Sequence, residues 1–264
     1  MTGHAAWRER PFPPIRDAYI DVLREGQRRR MIHGLFEADV SRARTLLPTI
    51  PDDGGDPMSF TGWVVACVAA AVDEDRLLHA RRRGRRRLVL FDDVDVNVQI
   101  EQPTEVGSIV QSRIIRDANH RTAGSISAEV HAARAVTAAD RRRERGTRAF
   151  VRLPRLVRVP LWRAVMDRPG LAKRFGGTIG VSAVGMFGTG AGWGIPLAPV
   201  PLMVTIGGIG PRPVLADGVL VNRDHLCLTI SVDHDIIDGA PAARFAARLR
   251  ELLEAAAGIT SPEA

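Results

Sequence analysis

The stretch that decides the fold runs from Leu226 to Phe245 and reads L-C-L-T-I-S-V-D-H-D-I-I-D-G-A-P-A-A-R-F. Every second residue from Leu226 to Val232 is apolar, which predicts a strand with one buried face, because successive side chains of a strand point to opposite faces. His234 has the same parity as this apolar row, so we expect its imidazole to point inward at the strand end. Asp238-Gly239 then predicts the turn into a last helix, where glycine permits a sharp backbone path.

A histidine in an apolar setting stays neutral, because desolvation disfavours the imidazolium, and a neutral imidazole can accept a proton. The segment therefore predicts a general base at His234. A core histidine whose ring is satisfied by a backbone carbonyl is the alternative, and the bare pattern H-x-x-x-D-G leaves both interpretations open.

Composition predicts an ordinary globular chain with a modest positive charge. The 264 residues are 45% hydrophobic and 25% charged, with 37 basic and 30 acidic side chains. This length allows one large domain or two small ones. The sequence pI near 10.8 overstates the charge of +7, since Lys173 is the only lysine and Tyr19 the only tyrosine. Two cysteines, Cys67 and Cys227, are too few for a disulfide framework and favour a reducing, cytoplasmic location.

Neither a secretory signal nor a membrane segment is expected. Met1 to Pro11 contains charged residues and no apolar core. The longest apolar stretch, Val64 to Val72, is about half of what a membrane span requires. We therefore expect no membrane partner.

The periodicity along the chain predicts a mixed α/β fold. The sequence has no internal repeat and no long linker. We therefore expect a single domain that spans residues 1–264, with an N-terminal arm at 1–14. Residues 145–174 form an Arg/Pro-rich excursion, and we expect an ordered surface excursion or a flexible loop from Arg145 to Pro160. The predicted helices are Ile15–Arg30, a short helix from Ser41, a buried helix capped by Ser59, Ser125–Arg143 and a last helix from Ala240; the predicted strands are Met31–Val40, Val94–Glu101, Ser108–Arg116, a strand after Phe175, Pro201–Ile209 and His225–His234, with a hairpin turn at Ala216-Asp217-Gly218.

A second block of residues supports the first. Gly177-Thr178 is followed by V-S-A-V-G-M-F-G from Val181 to Gly188. Together with D-H-x-x-x-D-G-A and the later A-R-F, this block resembles the catalytic domain of the dihydrolipoamide acyltransferases of 2-oxoacid dehydrogenase complexes, in the chloramphenicol acetyltransferase-like superfamily. Weaker likeness extends through Phe91–Ile100 and Ile15–Leu47. The resemblance implies a mixed-sheet sandwich with flanking helices and a coenzyme A-dependent acyltransferase.

The resemblance also implies roles for single residues. His234 would be the general base, and Ser182 would donate a hydrogen bond to the oxyanion. Asp238, which precedes Gly239, would order the site through an ion pair for which Arg16 is a candidate partner. Family members build the site between the chains of a homotrimer, with histidine and serine from different chains. Coenzyme A would be the substrate, and dihydrolipoamide on another protein a candidate acceptor; assembly into a larger shell stays open.

Several departures from the family pattern keep alternatives open. Asp235 stands where the family usually has arginine, Ala183 replaces a polar residue, and 264 residues leave no room for the lipoyl or subunit-binding domain. A non-catalytic trimeric scaffold subunit is one alternative. An acyltransferase with an alcohol or amine acceptor is another.

The remaining signals are weaker. The arginine runs could contact the phosphates of coenzyme A or of a nucleic acid, but without interleaved aromatic residues we favour solvated helix ends and loops, and no nucleic-acid partner. Trp193 stands where a dinucleotide-binding loop needs glycine, which excludes that motif. Neighbours on a strand point apart, so Asp233-His234-Asp235 predicts no metal site. Cys227 lies on the face opposite His234, which argues against a cysteine nucleophile. The four arginine runs are Arg28–Arg30, Arg81–Arg83, Arg85–Arg87 and Arg141–Arg143.

Overall fold

A computed structural model of the chain describes residues 7–9, 11–13, 16–104, 107–133, 138–184 and 189–259. In these ranges the chain forms eight α-helices and eight strands. The helices are α1 (Arg16–Gln27), α2 (Ser41–Leu46), α3 (Phe60–Asp73), α4 (Ala123–Ala132), α5 (Ala138–Val151), α6 (Arg155–Met166), α7 (Pro169–Gly176) and α8 (Gly239–Glu254). The strands are β1 (Met31–Asp39), β2 (Arg81–Arg83), β3 (Arg87–Val89), β4 (Val96–Thr104), β5 (Gly107–Ile115), β6 (Ile179–Ala183), β7 (Leu202–Ala216) and β8 (Val219–Asp233).

Six strands form one mixed sheet in the order β1-β8-β7-β6-β4-β5. β6 pairs in parallel with both β4 and β7, while the other neighbours are antiparallel. β2 and β3 form a separate hairpin. The predicted mixed α/β class is confirmed. The hairpin turn between β7 and β8 is also as predicted, with positive φ at Asp217 and Gly218, as a two-residue hairpin turn requires.

One face of the sheet packs against α3 and α8 and forms the main core. α3 is apolar on nearly every side and is buried accordingly. It begins where predicted, because the Ser59 hydroxyl accepts a hydrogen bond from the Gly62 N–H at 3.3 Å. α8 turns Phe245, Leu249 and Leu253 toward the same core. These contacts fix the C-terminal end of β8, where the histidine lies.

The opposite face of the sheet carries polar residues. Ser182 of β6 is in register with Thr205 of β7, which is in register with Thr229 of β8. All three are buried. Part of the 189–200 segment lies directly on this face, since a Cβ at Gly208 would collide with the Gly190 carbonyl oxygen. The glycine therefore permits the close approach of two backbones.

Of the two alternatives for the Arg/Pro-rich segment, the flexible loop is wrong, because α5, α6 and α7 make most of residues 145–174 helical. Prolines favour a loop, yet Pro154 and Pro169 precede or open helices, where the missing N–H costs nothing, and Pro160 lies inside α6. Arg158 anchors α6 to α1, because its buried Nε donates to Asp21 Oδ2 at 2.5 Å. Periodicity could not show this anchor, since it joins residues 137 positions apart.

The predicted helix Ser125–Arg143 is also wrong in extent. α4 ends at Ala132 and α5 begins at Ala138, while residues 134–137 lie outside the described ranges. The described residues of the predicted arm, 7–9 and 11–13, are exposed and belong to no helix or strand. Across the described part of the chain, no helix combines the length and apolar character that crossing a membrane requires.

Candidate active site

His234 lies just past the end of β8, in a turn that leads to α8. Its backbone N–H donates to the Arg30 carbonyl at 2.8 Å, which ties the turn to the segment between α1 and β1. The side chain is 45% exposed. The expectation that strand parity carries this imidazole into the apolar core is therefore wrong, because the strand ends at Asp233 and parity does not continue into a turn.

Asp233 holds the turn in place. It is buried, and its Oδ2 accepts a hydrogen bond from Arg29 Nη1 at 2.5 Å. Its Oδ1 accepts from the Asp235 N–H at 3.2 Å. Its carbonyl oxygen accepts from the N–H groups of Ile236 and Ile237, both at 3.0 Å. One carboxylate and one carbonyl thus fix the backbone that presents the histidine.

Asp238 lies on the solvent side of the same turn. Its side chain is 86% exposed, and its Oδ1 is 3.7 Å from His234 Nδ1. The two groups form an ion pair when the imidazole is protonated. Within the described residues, Arg16 makes no ion pair with Asp238, so the predicted pair is not formed in one chain. Gly239 has no positive φ, and a Cβ there would meet no atom within 4 Å, so this chain's own packing does not require glycine at the helix start.

Asp235 is balanced by arginines. Its Oδ1 accepts from Arg30 Nη1 at 2.5 Å, and its Oδ2 is 3.4 Å from Arg82 Nη1. The acidic residue that stands where the family usually has arginine therefore adds no uncompensated negative charge beside His234. The sequence gives no sign of this, because the two arginines lie about 150 and 200 positions away in the chain.

Ser182 is not near His234 within one chain. It is 8% exposed on β6, and the register places it two strands away from Thr229 of β8. His234 lies five positions beyond Thr229. With strands about 4.8 Å apart and about 3.4 Å per residue, the two residues are separated by roughly 19 Å. The structure therefore brings His234 and Asp238 together and leaves Ser182 apart. Residues 185–188 of the predicted serine block lie outside the described ranges.

The two cysteines are poorly suited to nucleophilic chemistry. Both are buried. Burial raises the pKa of the Cys67 thiol to about 12, and it also raises the pKa of Cys227. Since the thiolate is the reactive form, neither side chain supplies a nucleophile at neutral pH.

We expect the folded protein to react with a thiol reagent such as DTNB only at a trace rate. After unfolding in guanidinium chloride, both cysteines should react at once, because the burial that suppresses thiolate formation is lost. The released thionitrobenzoate is measured by absorbance. A rapid reaction of one thiol in the folded state would contradict this description of the core.

Two arginines that the sequence suggested were solvated are in fact buried or paired. Arg29 pairs with Asp233, and Arg81 is only 3% exposed. The arginine runs alone could not show which arginines are buried, since buried and exposed arginines look identical in the sequence. In the described ranges, no three histidine, cysteine or acidic residues are grouped so as to hold a metal ion.

Comparisons with known proteins identify relatives of this chain. The family model of the 2-oxoacid dehydrogenases acyltransferase (catalytic domain) matches residues 170–260, which include the serine strand and the histidine turn. The predicted resemblance to these acyltransferases is confirmed. The lipoamide acyltransferase component of the branched-chain alpha-keto acid dehydrogenase complex of Bacillus subtilis is 25% identical over 226 residues, covering 83% of this chain and 46% of that protein. The chain thus spans less than half the length of this relative.

Solved structures show the same fold. A probable dihydrolipoamide acetyltransferase from Listeria monocytogenes matches with a TM-score of 0.71 and 20% identity over 99% of each chain. The dihydrolipoamide acetyltransferase of Azotobacter vinelandii matches with a TM-score of 0.70 and 19% identity over 95% of this chain and 93% of that one. For that enzyme, crystallographic and enzymatic work addressed the roles of a serine, a histidine and an asparagine in catalysis.

Proposed function

We propose that this chain is a coenzyme A-dependent acyltransferase that moves an acyl group between coenzyme A and a thiol such as dihydrolipoamide. The observation that carries the proposal is the placement of His234. Its backbone is held by Arg30 and by the turn that Asp233 fixes, while its imidazole stays exposed beside Asp238. A rigid turn that presents an accessible imidazole suits a general base.

The spacing of three residues supports their assignment. In the Azotobacter vinelandii enzyme, the serine and the histidine are 52 positions apart, and the asparagine follows the histidine by four. Ser182, His234 and Asp238 have the same two spacings. This chain differs at the third position, where a carboxylate replaces the amide. An ionised carboxylate only accepts hydrogen bonds, so Asp238 can only accept from the imidazole and cannot donate to it as an amide could.

The proposed reaction moves one proton and one acyl group. A thiol with a pKa near 8.5 is mostly protonated at neutral pH, so His234 first accepts its proton. Nδ1 faces Asp238, which leaves Nε2 to take it. The thiolate then attacks the thioester carbonyl carbon, and the Ser182 hydroxyl donates a hydrogen bond to the oxyanion. When the intermediate collapses, the C–S bond to coenzyme A breaks, and the departing sulfur takes the proton from His234.

The separation of roughly 19 Å between Ser182 and His234 supports a site that is shared between two copies of the chain. We propose a homotrimer in which each site takes its histidine from one chain and its serine from the neighbour. The acceptor thiol would be free dihydrolipoamide or a dihydrolipoyl group carried by another protein.

The experiment is a subunit-mixing assay of acyl exchange between acetyl-CoA or succinyl-CoA and dihydrolipoamide. The variants His234→Ala and Ser182→Ala should each be nearly inactive alone. Chains of both variants should then be assembled together in equal amounts. About one quarter of the resulting sites should join an intact histidine from one chain to an intact serine from its neighbour, so about one quarter of the wild-type sites should be regained.

Two results would contradict this proposal. Wild-type protein without exchange activity toward either thioester would overturn the acyltransferase function. A mixture of the two variants that gains no activity over their average would overturn the shared site. A stable trimer that binds no thioester would instead favour the non-catalytic scaffold. The negative charge of Asp235, which was one reason for that alternative, is balanced by Arg30.

A further inference from the structure

A cavity of about 380 Å³ lies on the inner side of the histidine turn. Asp233, Asp235 and Ile236 of the turn line it, so it borders the backbone that presents His234. The C-terminal end of α1, the β2–β3 hairpin and the start of α7 form the other walls. Its charged lining consists of Glu25, Arg28, Arg29, Arg81, Arg82, Asp167, Asp233 and Asp235.

Arg81 lines this cavity and carries hydrogen-bond donors that have no partner in the described structure. The residue is 3% exposed, and its Nε and Nη2 are buried without a hydrogen-bond partner in the described structure. Nε and Nη2 form one edge of the planar guanidinium, the edge that offers two parallel N–H groups to one oxyanion. Arg29 Nε is likewise buried and without a partner. Three donors from two arginines are therefore left open.

The carboxylates that line the cavity do not satisfy these donors, because each already lies against another arginine nitrogen. The lining holds four arginines and four acids, and Arg30, which does not line the cavity, places a fifth guanidinium against Asp235. The pairs are Glu25 with Arg28 at 2.9 Å, Asp167 with Arg28 at 3.6 Å, Asp233 with Arg29 at 2.5 Å, and Asp235 with Arg30 at 2.5 Å and Arg82 at 3.4 Å.

We infer that this cavity is a phosphate-binding site, with the open edge of Arg81 as its main anchor. A tetrahedral phosphate can accept two parallel hydrogen bonds from Arg81 and a third from Arg29 Nε, whereas a carboxylate offers only two oxygens. Burial lowers the pKa of Arg81 to about 9, so the guanidinium is cationic at pH 7. A buried charged donor without a partner is costly, and a bound anion would remove that cost.

The phosphate could be free inorganic phosphate or part of a substrate. Only the second source rests on the proposed acyl transfer, in which coenzyme A brings phosphate groups to the neighbouring turn. The test therefore measures anion binding itself and not turnover. A loss of exchange activity in His234→Ala with no phosphate binding would leave the proposed function standing and overturn only this inference.

The experiment titrates inorganic phosphate into the full-length protein at constant ionic strength. For wild type, we expect a saturable rise in the melting temperature and a saturable broadening of the phosphate ³¹P resonance. Arg81→Met should lose both effects. Arg83→Met is the matched control, because Arg83 lies two residues away in the same hairpin, is exposed and does not line the cavity.

A variant that keeps the charge guards against a folding defect. Arg81→Lys retains a cation without the two-donor edge, and we expect its phosphate affinity to fall at least about tenfold while its folded state is retained. Absence of a saturable phosphate effect in wild type, or equal effects in wild type and Arg81→Lys, would overturn the inference. So would a crystal structure grown in phosphate that shows only water on the Arg81 edge.

Competition separates the two sources. If coenzyme A displaces bound phosphate and 3′-dephospho-coenzyme A does not, the site holds the 3′-phosphate of the substrate. If neither displaces it, the site holds a free anion. Both results presuppose a phosphate bound at Arg81 and thus support the assignment.

Discussion

Replacing His234 with alanine is expected to lower kcat for acyl exchange between acetyl-CoA and dihydrolipoamide by about 10³-fold, or about 4 kcal/mol in the activation free energy. The acceptor thiol would lose the base that removes its proton. Since the imidazole is 45% exposed and pairs with the exposed Asp238, the melting temperature should not change. KM should change little, because the role proposed for His234 is proton transfer and not binding.

The pH dependence of this variant gives a sharper test. A thiol with a pKa near 8.5 ionises by itself as the pH rises, so the deficit of His234→Ala should shrink between about pH 7 and pH 9. His225→Ala is the matched control, because His225 is a partly exposed histidine near the middle of the same β8 strand and should leave kcat unchanged. A deficit that is equal at both pH values would show that His234 does not act as the base.

The regular parts of the fold were predictable because their signals are local. Alternation between apolar and polar residues predicted β4 and the second half of β8. The residues Ala216-Asp217-Gly218 predicted a hairpin turn, and Asp217 and Gly218 have the positive φ angles of such a turn. In these elements, each residue's environment depends on neighbours within a few positions. The motifs around Ser182 and His234 were found for the same reason.

The exposure of His234 was not predictable, because the strand stops one residue earlier. That stop depends on Asp233, which binds the backbone of the following residues while Arg29, 204 positions away, holds its carboxylate. The burial of the arginines was also not predictable from the sequence. Arg81 and Arg83 are two positions apart in one strand, yet one is buried and the other exposed, and composition cannot distinguish them. Long-range ion pairs decide these cases.

The Arg29–Asp233 pair is therefore where we expect the largest loss of stability. Asp233→Ala should lower the free energy of unfolding by about 3–5 kcal/mol, because it leaves the mostly buried Arg29 guanidinium without its carboxylate and near Arg81. The measurement is urea unfolding followed by circular dichroism. The turn would also lose the hydrogen bond from the Asp235 N–H, so kcat should fall with stability although His234 is intact.

Asp235→Ala is the matched control, since Asp235 lies two positions away and its partner Arg30 is exposed. An exposed pair contributes about 0–1 kcal/mol, so this variant should remain close to wild type. In the double variant Arg29→Met/Asp233→Leu, apolar side chains replace the whole buried pair, and part of the lost stability should return because no buried charge is left alone. If Asp233→Ala and Asp235→Ala were equally stable, the turn would not depend on the buried pair, and another contact would have to hold the histidine in place.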